Sequence, residues 1–131
     1  MTVTKGLEGV IATESSICSI IDDKLTYVGY SIDDLAENCS FEEVVYLLWN
    51  RELPNKEQLE QLRKELAEEM DVPEAIIDHL RSYDTTKVHP MAALRTAISL
   101  LGLYDEEADV MDPEANRRKA IRLQAKVNTI V

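Results

Sequence analysis

What most limits the folds open to this chain is its punctuation after Tyr30: helix-start signals recur to the end, each followed by apolar residues at steps of three and four. Ser31-Ile-Asp-Asp34 opens a short helix with two carboxylates in its first turn, where the amide dipoles favour negative charge. Ser40-Phe-Glu-Glu43 has the form of a capping box. It predicts a helix through Trp49 with Phe41, Val44, Leu47 and Leu48 on its apolar side, stopped by Leu53-Pro54. Asn55 and Gln58 form the same reciprocal pair ahead of a stripe of Leu59, Leu62, Leu66 and Met70. Proline suits the first position of a helix, where its missing N–H costs nothing. Pro73 therefore precedes Ile76, Ile77 and Leu80, and Pro90 precedes Met91, Leu94, Ile98 and Leu101, with Gly102 as the natural C-cap. Asp112-Pro113-Glu114 starts a last helix whose apolar face is Ala120, Leu123, Val127, Ile130 and Val131.

Before Tyr30 the pattern differs. Ile, Val, Thr and Ser dominate from Gly6 onward, and a hairpin is expected with arms Ser16 to Ile21 and Lys24 to Val28 joined at Asp22-Asp23. The expected fold is mainly α with a small N-terminal β-hairpin: residues 1–30 form an extended arm and hairpin, and residues 31–131 a helical segment. The last helix meets no Gly, Pro or polar cap before Val131, so a break inside the helix of a longer chain is expected.

The 131 residues suffice for one domain or a piece of one, and 45% hydrophobic residues with only 4 Gly and 4 Pro exclude a disordered or collagenous chain. A net charge of -11 repels phosphate backbones and anionic lipid, so neither nucleic acid nor membrane is an expected partner. No apolar run spans a bilayer and Met1 to Gly6 lacks the blocks of a signal peptide. Cys18 and Cys39 lack CxxC spacing, which fits reduced thiols and a cytoplasmic location. The charge is uneven: all 25 acidic residues lie at or before Glu114, while Arg117, Arg118, Lys119, Arg122 and Lys126 follow it. That basic helix either meets an anionic ligand or lipid, or offsets the acidic body; its apolar face favours helix–helix association.

The residue types that carry chemistry are not arranged for it. His79 and His89 lack the i, i+4 spacing or the convergent third group of a metal site. His89 precedes a proline and is expected to bond local backbone, and His79 to be an exposed or half-buried helix residue. Asp22-Asp23, Asp33-Asp34 and Asp105 to Glu107 occupy a turn, a first helical turn and an acidic connection, where capping and solvation explain them without acid–base work. Ser15, Ser16 and Ser19 lack a nucleophile elbow, the cysteines have no flanking cation, and Gly6-x-x-Gly9 is too short for a phosphate loop.

Taken in order, several stretches resemble one family. Gly6-Leu-Glu-Gly-Val, Leu25-Thr-Tyr-Val-Gly-Tyr30 running into Ile32-Asp-Asp-Leu-Ala36, Ser40-Phe-Glu-Glu-Val-Val-Tyr-Leu-Leu48 with Glu52-Leu-Pro54, and His89-Pro-Met-Ala-Ala-Leu-Arg95 together resemble the N-terminal part of citrate synthases. The resemblance implies the helical part of the family's large domain, from a homodimeric enzyme that condenses acetyl-CoA with oxaloacetate to citrate and CoA. It also implies that the base carboxylate, the carbonyl-polarising histidines and the carboxylate-holding arginines belong to later segments. No catalytic, substrate-binding or metal residue and no cofactor is therefore assigned here, acetyl-CoA and oxaloacetate being expected to bind the missing part. The chain alone is expected to be inactive, supplying scaffold and dimer surface. For that surface the helix from Pro90 to Leu101, with its small Ala92, Ala93, Thr96, Ala97 and Ser99, and the last helix are the candidates. A 2-methylcitrate synthase, which takes propionyl-CoA, and a non-catalytic helical interaction module are the alternatives.

Overall fold

The computed structural model describes residues 10–11, 13–84 and 86–131, so the first nine residues of the arm and hairpin expected over 1–30 lie outside the described residues. The architecture is mainly helical, with one small antiparallel sheet. Strands β1 (Cys18–Ile21) and β2 (Lys24–Tyr27) pair with Cys18 opposite Tyr27 and Ser19 opposite Thr26. Asp22 and Asp23 turn the chain with φ of 50° and 61°. Two consecutive left-handed residues match the right-handed twist of the strands, and Asp is among the few non-glycine residues that tolerate the conformation.

Both expected arms were too long. Ser16 and Ile17 form a bend ahead of β1, and Val28 leaves β2 for a second tight turn, with φ of 51° at Val28 and 89° at Gly29. That turn delivers a third strand, β3 (Tyr30–Ser31), which the sequence reading did not anticipate; it lies opposite Thr26 and Tyr27 of β2. A two-residue strand is too short to have a periodicity of its own.

Ser31 passes directly from β3 into α1 (Ile32–Asn38), its hydroxyl accepting the Asp33 N–H at 3.3 Å. α2 (Phe41–Asn50) begins with the capping box read from the sequence: the Ser40 N–H donates to Glu43 Oε2 at 2.7 Å and the Glu43 N–H to Ser40 Oγ at 3.4 Å. It ends at Asn50, one residue past the expected Trp49, but the stop signal is not the expected one. The helix stops before Leu53-Pro54 because Arg51 turns left-handed, φ 64°, and donates its N–H back to the Leu47 carbonyl at 2.7 Å. The buried residues are Val45, Tyr46 and Leu47, while Phe41 is 60% exposed. A side chain in the first turn leans back past the helix end, where no further turn covers it.

α3 (Lys56–Glu68) is capped by the reciprocal Asn55 and Gln58 bonds of 2.8 and 2.9 Å and buries Leu62; Met70, expected on its stripe, lies beyond its end and is exposed. The chain forms two compact units, one ending at Leu59 and the other running from Glu60 to Val131, with the division inside α3.

In the second unit, α4 (Glu74–Arg81) takes Pro73 as its N-cap, one position earlier than expected. α5 (Pro90–Leu101) ends at a right-handed Gly102, φ −61°, a conformation open to any residue. α6 (Pro113–Ile130) is opened by Asp112, whose carboxylate accepts the Ala115 N–H at 2.9 Å. α5 packs against both α4 and α6. Ile76, Ala97 and Leu101 form a buried cluster with Val72, Leu80, Ile98, Leu100 and Ile130 packed on it. Two expected faces need correction. Met91 of α5 is exposed, and α6 buries Ala115, Ile121 and Ala125 while Leu123 and Val131 are exposed. The buried face of α6 therefore runs through Ala115, Ile121 and Ala125, the two alanines allowing close helix approach beside the larger Ile121.

Candidate functional site

The polar chemistry of the second unit gathers where α6 meets two non-helical segments: residues 102–112, between α5 and α6, and residues 69–73, between α3 and α4. α6 places cations at 118, 119, 122 and 126, spacings that carry them around one side of a helix over about two turns. Arg122 donates to both carboxylate oxygens of Asp105 at 2.9 to 3.1 Å and to Glu107 Oε2 at 2.9 Å. Arg118 grips Glu107 with Nε and Nη2. Lys119 Nζ donates to the carbonyls of Ala108 and Val110 at 3.3 and 2.5 Å. Further along, Lys126 Nζ donates to the carbonyls of Glu69 and Asp71 at 2.8 and 2.6 Å, and Thr129 Oγ1 donates to the Met70 carbonyl at 2.9 Å. Arg117 sits 3.7 Å from Glu65.

Between these ties lies a cavity of about 840 Å³. Val72, Pro73, Ile98, Leu101 and Leu123 give it apolar walls, and Asp105, Glu107, Lys119, Arg122 and Lys126 give it a charged rim. The rim is neutralised from within. At Glu107 the hydrogen bonds from Arg118, and next those from Arg122, favour the charged carboxylate and hold its pKa down at about 2, against an ordinary 4.5.

Each of the five α6 cations thus has an intrachain partner. Of the roles open to the basic helix, offsetting the acidic body is the one its contacts fill. Binding a dicarboxylate or a phosphorylated cofactor calls for convergent unpaired cations or N–H groups. The rim supplies paired ones.

The other residues weighed for chemistry are dispersed. His89 is the N-cap of α5, its Nδ1 accepting the Met91 N–H at 3.2 Å, the local backbone role expected of it. His79 is half-buried on α4 with its ring edge-on to Tyr83, centroids 5.6 Å apart. Asp22 and Asp23 form the hairpin turn, and Asp33 and Asp34 occupy the first turn of α1. Cys18 is exposed, and Ser19 Oγ lies 2.7 Å from Thr26 Oγ1 across the sheet. Among the described residues no group of three or more His, Cys, Asp or Glu side chains is placed to hold a metal ion, and no helix is long and apolar enough to cross a membrane. The sequence reading missed the pairing of Asp105 and Glu107 with Arg118 and Arg122. The available signal was the i, i+4 arginine pair downstream of an acidic connection.

The fold recurs in solved proteins. The chain superposes on the crystal structure of citrate synthase from Pyrobaculum aerophilum with a TM-score of 0.82 at 32% identity, over 95% of this chain and 34% of that one. It is 69% identical over 131 residues to citrate synthase 2 of Bacillus subtilis (strain 168), a match covering 100% of this chain and 35% of that protein. It is also 40% identical over 131 residues to 2-methylcitrate synthase 1 of Corynebacterium glutamicum, covering 98% and 34% respectively. The family model described as "Citrate synthase, C-terminal domain" matches residues 6–131. The chain belongs to the citrate synthase family. It spans about a third of the length of the curated relatives it matches.

Proposed function

We propose that this chain is the scaffold third of a citrate synthase that condenses acetyl-CoA with oxaloacetate, and that by itself it turns nothing over. The observation carrying the reading is the 69% identity along the whole chain to a protein named citrate synthase 2. The α6 rim supports the second half of the proposal: its cations are engaged, so a substrate with two carboxylates or a CoA with phosphates finds no unpaired positive cluster on α6. In this reading residues 1–30 are an arm and residues 31–131 helical scaffold, with no catalytic or substrate-binding residue among them. The longer protein is a cytoplasmic homodimer, and α5 and α6 contribute to its subunit contact.

The test is release of CoA thiol from acetyl-CoA and oxaloacetate. The longer protein carrying this sequence is expected to release thiol only when both substrates are present, and the 131-residue chain to stay at the blank. Turnover by the chain alone overturns the scaffold assignment. A second reading, 2-methylcitrate synthase, is favoured by the 40% identity to a protein of that name. Faster turnover of propionyl-CoA than of acetyl-CoA by the longer protein decides for it.

A further inference from the structure

The segment from Leu103 to Met111 is held in an unusual way. Its side chains at 103, 104, 110 and 111 are apolar yet 80, 54, 41 and 76% exposed, so burial contributes little to fixing it. Its backbone bonds are short-range: Leu103 and Tyr104 donate to Leu100 and Leu101, Ala108 to Asp105 and Val110 to Glu107. The side-chain ties from the rest of the second unit come from three cations of α6: Arg118 on Glu107, Arg122 on Asp105 and Glu107, and Lys119 on two carbonyls. The opposite wall of the cavity is fastened to the same helix by a separate pair, Lys126 and Thr129.

We infer that residues 103–111 form an electrostatic strap, latched to α6 by Arg118, Lys119 and Arg122, which swings off the helix without unfolding it and opens the apolar cavity lined by Ile98, Leu101 and Leu123. A segment fixed by burial resists salt, because apolar transfer is undiminished by ions. One fixed by partly exposed charge pairs weakens as counter-ions screen them. The second latch keeps its own carbonyl acceptors, so releasing the first leaves the 69–73 wall in place.

The test is amide hydrogen exchange resolved by peptide, on the wild-type chain from low to molar salt and on R118Q/R122Q at low salt. Removing both arginines is expected to raise exchange in residues 103–111 about tenfold, with α4 and the middle of α5 unchanged. Molar sodium chloride is expected to move the wild type in the same direction. Exchange in the strap that is unmoved by salt and by the double substitution overturns the proposal. So does a rise in which α4 and α5 follow the strap, which would make the ion pairs part of the global fold. If the double variant does not fold, the salt series on the wild type decides between the same outcomes.

Discussion

Ile76→Ala tests the packing on which the second unit rests. Ile76 is 1% exposed and shares its cluster with Ala97 and Leu101, with Val72, Leu80 and Ile130 packed around. The substitution removes three carbons, about 2.4 kcal/mol at about 0.8 kcal/mol each. The space left behind adds a cavity penalty of about 1 to 2 kcal/mol, the lower figure applying if neighbours relax inward, so the loss is about 3.4 to 4.4 kcal/mol. Relaxation is restricted here because Ala97 has no side-chain length with which to fill the gap. For a chain whose urea dependence is about 1.5 kcal/mol per molar, the midpoint should fall by about 2 to 3 M. Urea titrations followed by helical circular dichroism measure it, with Ile76→Val as the graded control at about 1 kcal/mol and Phe41→Ala as the exposed control within about 0.5 kcal/mol. A shift for Ile76→Ala no larger than that of Phe41→Ala would refute the reasoning, since burial would then not be what Ile76 contributes.

Three further outcomes are expected. Ser40→Ala removes the acceptor for the Glu43 N–H at the start of α2 and should cost about 1 kcal/mol, read as a lower melting temperature. Val28 is a β-branched residue at φ 51°, so Val28→Asn, which keeps the N–H donated to Ile17 and tolerates the left-handed conformation, should stabilise the sheet by up to about 1 kcal/mol. Glu107 is held at about 2 in the folded chain against 4.5 when free, so its contribution is complete above pH 4.5 and lost as pH falls through about 2. Titrating the side-chain carboxyl by NMR checks this: a midpoint near 4.5 would mean the Arg118 and Arg122 bonds do not persist in solution.

Helix beginnings were the most legible part of the sequence, because a cap is a bond between residues two or three apart. Ser31, Ser40, Asn55, His89 and Asp112 all act where their spacing to the next N–H requires. Helix ends and faces were less so. Nothing local announces that Arg51 turns left-handed, and the buried face of α6, Ala115, Ile121 and Ala125, was missed because a helix with apolar residues on more than one side does not say which side its neighbours cover. The strap and the 69–73 wall were illegible for a third reason: their partners lie nine to fifty-nine residues away, and no local pattern records who meets whom. The family was readable because four motifs in a fixed order carry more information than any one of them. What the chain does in a reaction was not, since no local pattern in the sequence gathers its chemistry-bearing residues into one site.

The bonds from Lys126 and Thr129 to the carbonyls of residues 69–71 join positions fifty-five to fifty-nine apart. Synthesis runs from the N-terminus, so α3, α4 and α5 are all made before the residues that tie the α3–α4 connection exist. Until α6 emerges, the carbonyls of Glu69, Met70 and Asp71 have only water as a partner from that side, and the apolar side of α5 that α6 covers is bare. A nascent chain whose α5 has emerged but whose α6 has not therefore carries an unfinished second unit with an exposed apolar surface, which a chaperone can hold.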